Sequence, residues 1–269
     1  MRIVLGQYDT GWLDPTTSLN RAERVVAAAA HAGAQLVVLP EMCPSGFTMD
    51  AERFAEQVDG PSPRRLAALA REHGVRVLAG VATRRAGGAF NSALLFDNEG
   101  ELVAAYDKQR LFAYAGEATA FRAGHGPIVF EIDGVRFSPF ICYDLRFPDL
   151  FQAVGPYVDV IVVLANWPSA RQTHWEALLQ ARAIENQCFV VAVNRTGVGG
   201  GLDYVGGSAG FGPWGEKLLA SGDPVSVEVC TPDVSRVRQT YPFSTDRRES
   251  PPFVSFAPGW DAGLLNIQP

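Results

Sequence analysis

The sequence predicts a mixed α/β fold, and three observations carry that expectation. Short continuous apolar runs alternate with amphipathic stretches of helical period, the rhythm of strand–helix–strand units. Two runs of period-two alternation are joined by a tight turn, which adds antiparallel strands to the same sheet system. No change of composition and no linker interrupts residues 1–230, so a single domain is expected over that span.

Taken in order, residues 2–7 read as a strand and residues 18–31 as an alanine-rich amphipathic helix ended near Gly33. The run QLVVL at 35–39 lacks polar alternation, as expected of a strand buried on both faces, and it stops at Pro40-Glu41. A second helix over 62–73, with Gly74 in the C-cap position, leads into a buried strand at 75–80. FNSALLFD (90–97) and ELVAAYD (101–107) flank Asn98-Glu99-Gly100 and form the predicted hairpin. Further strands are expected at 135–141, 158–165, 188–194 and about 207–212, with a helix over 171–187 between two of them. The Gly-rich stretch 197–207 reads as a surface loop. Residues 231–269 hold several prolines and no clear period, and are expected to form a C-terminal arm packing on the domain or on a neighbouring subunit.

Composition narrows the function classes. The 269 residues are 47% hydrophobic and 19% charged, values close to soluble globular averages. The net charge is −6 without a Lys/Arg cluster, so the electrostatic footprint of a nucleic-acid binder is missing. Arg2 is followed by only three apolar residues before Gly6, too few for a signal-peptide core, and no apolar run reaches the roughly 18 residues of a bilayer span. A cytoplasmic protein without a membrane partner is expected. Cys43, Cys142, Cys188 and Cys230 show no CxxC spacing, and His31, His73, His125 and His174 no HxxxH pairing, so neither a metal site nor a disulfide framework is indicated. In a reducing compartment free thiols of this kind are usually small buried hydrophobes.

Ligands in α/β folds bind at the carboxyl ends of strands. Glu41 closes LVVLPE, Lys108 follows AAYD, and Cys142 follows the apolar run FSPFI. Singly, a strand-end glutamate or lysine is usually solvated and a cysteine in an apolar segment is usually core. Only a fold that gathers strand ends could make one site of the three.

LPEM (39–42), YDKQRLF (106–112) and CYDLRFP (142–148), in that order, resemble the three catalytic segments of the nitrilase superfamily of carbon–nitrogen hydrolases. The likeness continues through AGE (115–117), LANWP (164–168), HWEALLQARAIENQ (174–187), VNRTG (193–197) and FGPWGE (211–216). It implies a four-layer αββα sandwich of two mixed sheets, associated as homodimers or larger homo-oligomers and needing no cofactor. It further implies that Cys142 is the nucleophile, Glu41 the general base and Lys108 an electrostatic stabiliser. Glu117 matches the second glutamate of many members, placed to orient Lys108 or the substrate amide.

Those residue types suit amide hydrolysis. A thiol near pKa 8.5 is mostly protonated at neutral pH, so Glu41 would take its proton, with the Lys108 ammonium favouring the thiolate. Lys108 and the backbone N–H of Tyr143 would hold the oxyanion of the tetrahedral intermediate. ANWPSARQTHW (165–175), with CYDLRFP, is most similar to the omega-amidase branch, which hydrolyses the terminal amide of 2-oxoglutaramate and 2-oxosuccinamate. The far carboxylate of such substrates needs a cation. Arg146 is expected to supply it, with Arg171 as second candidate and a structural salt bridge as the alternative fate of Arg146. Trp167 is expected to shape the pocket wall, and Cys43 to be a small wall residue. A deaminated-glutathione amidase, an N-carbamoyl amino acid hydrolase, a papain-like pair of Cys142 with His174 and a non-catalytic binding module are the competing readings. The Gly199-Gly200-Gly201 insert departs from the omega-amidase pattern.

Overall fold

Alternation along the first strand separates two cores in the computed structural model, which describes residues 1–218 and 225–247. In β1 (Arg2–Leu5), Ile3 and Leu5 join one buried cluster and Val4 joins another. The chain continues through α1 (Pro15–His31), β2 (Leu36–Val38), α2 (Ala51–Phe54), α3 (Pro61–His73), β3 (Arg76–Arg85), β4 (Gly88–Phe96), β5 (Leu102–Asp107), α4 (Glu117–Ala120), β6 (Phe130–Ile132) and β7 (Val135–Ile141). It then forms α5 (Pro148–Val154), β8 (Val160–Ala165), α6 (Gln172–Asn186), β9 (Phe189–Asn194), β10 (Thr196–Gly199), β11 (Leu202–Val205), β12 (Ala209–Phe211), β13 (Val225–Glu228) and α7 (Thr231–Thr240).

One sheet has the strand order β13-β1-β2-β3-β4-β5 and the other β12-β9-β8-β7-β6. Both are mixed: β1, β2 and β3 run parallel, as do β7, β8 and β9, with antiparallel strands added outside them. Ile3, Leu5, Leu36, Val38 and Leu78 of the first sheet share a core with Phe137, Phe140 and Ile161 of the second. The opposite face of the first sheet, through Val4, Val37, Leu39 and Val77, packs on Ala22, Val26 and Ala29 of α1 and Leu66, Leu69 and Ala70 of α3. Leu150 and Phe151 of α5 and Trp175 and Leu179 of α6 pack on the second sheet. The result is the αββα order that the family resemblance implies.

Helix ends follow their local chemistry. Asp14 caps α1 by accepting from the Thr17 N–H at 3.1 Å ahead of Pro15, and α3 stops at Gly74, whose φ of 62° is left-handed. The helix expected over 171–187 is α6, which follows a 3-10 turn at Ser169–Arg171 and ends on Gln187 in left-handed conformation.

Two expectations are corrected. Strand β3 does not end at Gly80 but runs on to Arg85. Gly80 is glycine because the backbone of the glutamate loop crosses it: a Cβ there would lie 2.5 Å from Glu41 Cα. The stretch 197–207 is not a surface loop. It holds the hairpin β10–β11, reversed at Gly200-Gly201, both with positive φ.

After β13, which pairs with β1, α7 docks on the body of the same chain. The Arg238 guanidinium donates to the carbonyls of Gly155, Val158 and Asn186 at 2.8, 2.9 and 3.2 Å. The rest of the expected arm, 248–269, lies outside the described residues. Among the described residues no helix is long and apolar enough to cross a membrane.

Candidate active site

Strand ends deliver three side chains to one place. Glu41 follows β2, Lys108 is the first residue after β5, and Cys142 is the first after β7. Cys142 opens a 3-10 turn over 142–146 with φ of 45°, a left-handed conformation that costs a side-chain-bearing residue of order 1–3 kcal/mol. Asp144 holds that turn against the lysine segment. Its buried carboxylate accepts from the Ile141 N–H at 3.0 Å, the Arg110 N–H at 2.8 Å and the Tyr106 hydroxyl at 2.8 Å. Burial pushes the Asp144 carboxyl up to about 6, with Lys108 and these donors acting against it.

Glu41, Lys108 and Glu117 are each 0–1% exposed and form one network. Lys108 Nζ donates to Glu41 Oε1 at 2.9 Å and to Glu117 Oε1 and Oε2 at 3.0 and 2.9 Å. Asn91 Nδ2 donates to Oε1 of both glutamates, 2.8 Å each, and the Phe112 N–H to Glu117 Oε2 at 2.6 Å. Glu41 Oε2 accepts from the Asn166 N–H at 3.0 Å, and Asn166 Nδ2 donates to the Glu41 carbonyl at 2.6 Å. Cys142 Sγ lies 3.7 Å from the Asn166 carbonyl. A solvated loop glutamate and a solvated lysine are therefore the wrong description of Glu117 and Lys108.

The electrostatics of the three groups are coupled. Burial lowers the Lys108 ammonium, but Glu117 and Glu41 outweigh it and hold the group charged. The Cys142 thiol is raised well above its ordinary value, first by burial and then by the Glu41 carboxylate, with Lys108 opposing. Burial and the excess of carboxylate over ammonium both favour the protonated thiol at Cys142.

A cavity of about 200 Å³ opens over Cys142, below the roughly 300–1,000 Å³ of sites for drug-sized ligands. Its walls include Trp12, Phe47, Phe112, Trp167, Leu202 and Tyr204. Tyr143, Arg146, Trp167 and Arg171 all line it, so the expected binding residues share one cavity. The Tyr143 N–H sits in the first turn of the 142–146 helix, where backbone donors lack intrahelical acceptors. Arg146 makes no ion pair among the described residues. Its guanidinium lies 4.9 Å over the Trp167 ring and donates to His174 Nδ1 at 3.3 Å. His174 is exposed and absent from the lining, which removes the geometry a papain-like pair needs. Cys43 is not a pocket wall; it packs with Val4, Tyr8 and Val26 on the helix side of the first sheet.

Sequence reasoning missed Asn91, Asn166, Asp144, Trp12 and Tyr204. The signals were present for some of them: Asn91 is a lone amide inside an apolar strand, and Asn166 closes a wholly buried one. Among the described residues no group of three or more His, Cys, Asp or Glu could hold a metal ion.

A strand-end cysteine set beside a glutamate and a lysine, at the rim of two facing sheets, is the arrangement of the nitrilase-like sandwich enzymes. The chain belongs to the carbon–nitrogen hydrolase family, whose profile matches residues 2–241. A 2-oxoglutaramate amidase of Bacillus subtilis (strain 168) is 34% identical over 250 residues, 90% of this chain and 96% of that one. Omega-amidase YafV of Escherichia coli (strain K12) is 34% identical over 255 residues, 93% and 97% of the two chains. Among solved structures, XC1258 from Xanthomonas campestris, a CN-hydrolase superfamily protein with an arsenic adduct in its active site, superposes with a TM-score of 0.86 at 34% identity. It is covered to 99%, and this chain to 95%. An amidase from Nesterenkonia sp. AN1, in a mutant carrying acrylamide added at the active-site cysteine, gives a TM-score of 0.77 at 28% identity over 91% of this chain and 99% of that one.

Proposed function

We propose that the protein hydrolyses the terminal amide of a small 2-oxo dicarboxylic acid monoamide, of the 2-oxoglutaramate or 2-oxosuccinamate type, through a cysteine thioester. The buried Glu41–Lys108–Glu117 network beside a protonated Cys142 is the observation that carries this reading. Its relatives named for omega-amidase and 2-oxoglutaramate amidase activity support the substrate class.

Cys142 Sγ attacks the amide carbon while Glu41 accepts the thiol proton, and the carbonyl oxygen becomes an oxyanion held by Lys108 Nζ and the Tyr143 N–H. As the C–N bond breaks, Glu41 returns the proton to nitrogen and ammonia leaves. Water, deprotonated by the same carboxylate, then attacks the thioester carbon, and the C–S bond breaks to give the acid and the free thiol. Glu117 and Asn91 keep Lys108 and Glu41 in place throughout. Arg146 and Arg171 line the cavity, have no carboxylate partner among the described residues, and bind the far carboxylate. Copies of the chain associate, a reading supported by the exposed aromatic cluster Trp214, Tyr241 and Phe243.

Ammonia release from 2-oxoglutaramate, glutamine, deaminated glutathione and an N-carbamoyl amino acid tests the reading, with Cys142→Ala beside the wild type. Turnover of the 2-oxo acid amide that disappears in the variant is expected. Preference for another amide would sink the substrate assignment, and Cys142-independent turnover would sink the mechanism.

A further inference from the structure

Three glycines, two of them (Gly199 and Gly200) in the cavity lining, share one neighbour. A Cβ on Gly46 would lie 3.0 Å from Trp12 Cε3, one on Gly199 2.9 Å from the same atom, and one on Gly200 2.9 Å from Trp12 Cη2. The benzene edge of the indole is therefore wedged between the backbone of the glutamate loop and that of the β10–β11 hairpin. Gly46 and Gly200 also have positive φ, which alone would favour glycine, but Gly199 does not. At Gly199 the missing side chain answers a need for space, against Trp12 and against Arg195 Nη1 at 2.8 Å.

The seat is anchored on both sides. Leu13, directly after the indole, is held at φ of 56°, and its N–H donates to the Ser45 carbonyl at 3.0 Å. Arg195, fully buried, donates to Asp9 Oδ1 at 2.9 Å and to the Val198 carbonyl of β10 at 3.2 Å. A tryptophan serving the core would be buried, yet Trp12 is 36% exposed and lines the cavity that contains Cys142. Strain and three small residues are thus spent on presenting one aromatic face to the site.

We propose that Trp12, seated on Gly46, Gly199 and Gly200, sets the length of acyl chain that the site accepts, its indole closing the cavity against longer monoamides. The proposal rests on the reading of the cavity as the binding site of a dicarboxylic acid monoamide or its close analogue. The Gly-rich insert that departs from the omega-amidase pattern is the structural partner of this wall.

The test is a set of kcat and KM values for wild type, Trp12→Ala and Trp12→Phe on homologous series of rising length: 2-oxo monoamides, plain dicarboxylic monoamides and N-carbamoyl ω-amino acids. In Trp12→Ala, the kcat/KM ratio of the six-carbon over the five-carbon member should rise about tenfold or more, the scale of one methylene in an apolar pocket. The change should come through the KM of the longer substrate, and Trp12→Phe should fall between the two. An unchanged ratio in a variant that keeps the wild-type thermal midpoint would overturn the proposal. So would an equal loss at every length, which would make the indole a support of the fold; Trp12→Phe guards that comparison if Trp12→Ala does not fold. Wild-type turnover of only the plain or carbamoyl series would reject the 2-oxo reading and still leave the length ratio to be measured, whereas no turnover on any series would reject both.

Discussion

Replacing Glu41 with glutamine should separate two properties of Cys142, its reactivity as a thiol and its competence against amides. Glu41 Oε1 accepts from Asn91 Nδ2 at 2.8 Å and Lys108 Nζ at 2.9 Å, and Oε2 from the Asn166 N–H at 3.0 Å. A glutamine has one acceptor oxygen, which must face Lys108 and Asn91, because an amide NH₂ there would oppose two donors. The NH₂ then faces the Asn166 N–H and leaves that buried donor unpaired, at a cost of about 1–3 kcal/mol. At roughly 2–4 °C per kcal/mol for a chain of this size, the thermal midpoint should fall by about 2–12 °C, so the variant should still fold. The formal charge of Glu41, Lys108 and Glu117 together changes from −1 to zero, and the larger of the two carboxylates' upward pushes on the thiol is removed. Amide turnover should drop by about 10²–10⁴-fold, since neither the thiol proton nor the attacking water has a base. Alkylation of Cys142 by iodoacetamide near pH 8, followed by intact mass, should instead become faster than in the wild type. A fall of both rates by the same factor would refute this reasoning, because a residue that only positions Cys142 would slow every reaction of its sulfur alike.

Three further outcomes follow from other contacts. Asn91→Leu removes two charge-assisted hydrogen bonds worth about 1.5–3 kcal/mol each, so urea denaturation should show a loss of about 3 kcal/mol or more; an unchanged midpoint would mean that the two glutamates do not depend on the bridge. Arg146→Met and Arg171→Met should each cut kcat/KM for 2-oxoglutaramate by about 10- to 100-fold, the scale of one charged hydrogen bond, while leaving hydrolysis of a simple uncharged amide nearly unchanged. Asp144 titrates at about 6 in the folded protein against an ordinary 3.8. The folded state thus holds the extra proton between those values, and the group's stabilising contribution is present in full below about 4 and lost as pH rises through about 6. That difference corresponds to roughly 3 kcal/mol at about 1.36 kcal/mol per pH unit, and Asp144→Asn should flatten this part of the unfolding profile measured by chemical denaturation.

The layers were legible in the sequence wherever one face of an element is uniformly apolar. Residues 35–39 and 188–194 read directly as buried strands because both faces are covered. The turn at Gly200-Gly201 was hidden because its flanking runs, TGVG and LDYV, are short and half exposed and carry no clean alternation. Gly80 misled for a different reason: it looked like the end of a strand but marks the close approach of a second segment from far away in the chain. For the site, Glu41, Lys108 and Cys142 could be proposed singly from strand ends and joined only through family resemblance, since no local pattern records that β2, β5 and β7 end at one rim. The neutral donors Asn91 and Asn166 carry no periodic or charge signal, and their importance appears only when their amide groups are found against the carboxylates of Glu41 and Glu117.

The second carboxylate has a chemical consequence for the proposed reaction. A cysteine paired with a lysine alone would rest as a thiolate, a better nucleophile but one whose proton has already gone to solvent. Ammonia leaves readily only as a protonated amine, so such a site would have to recover a proton at the moment the C–N bond breaks. With Glu117 and Glu41 both bound to Lys108, the charge of the ammonium is more than balanced at rest, and burial together with Glu41 favours the protonated thiol. In the proposed reaction, attack would move that proton to Glu41, and the negative charge would appear on the carbonyl oxygen, where Lys108 would answer it. Lys108 is already desolvated and held in place by Glu41 and Glu117, so its positive charge stands ready before the oxyanion forms, and an N–H shared with the Glu117 carboxylate can turn to it. Burial and the surplus of negative charge together make Cys142 a poor resting nucleophile, and they would keep the proton and the ammonium in store for the two steps at which an amide resists hydrolysis.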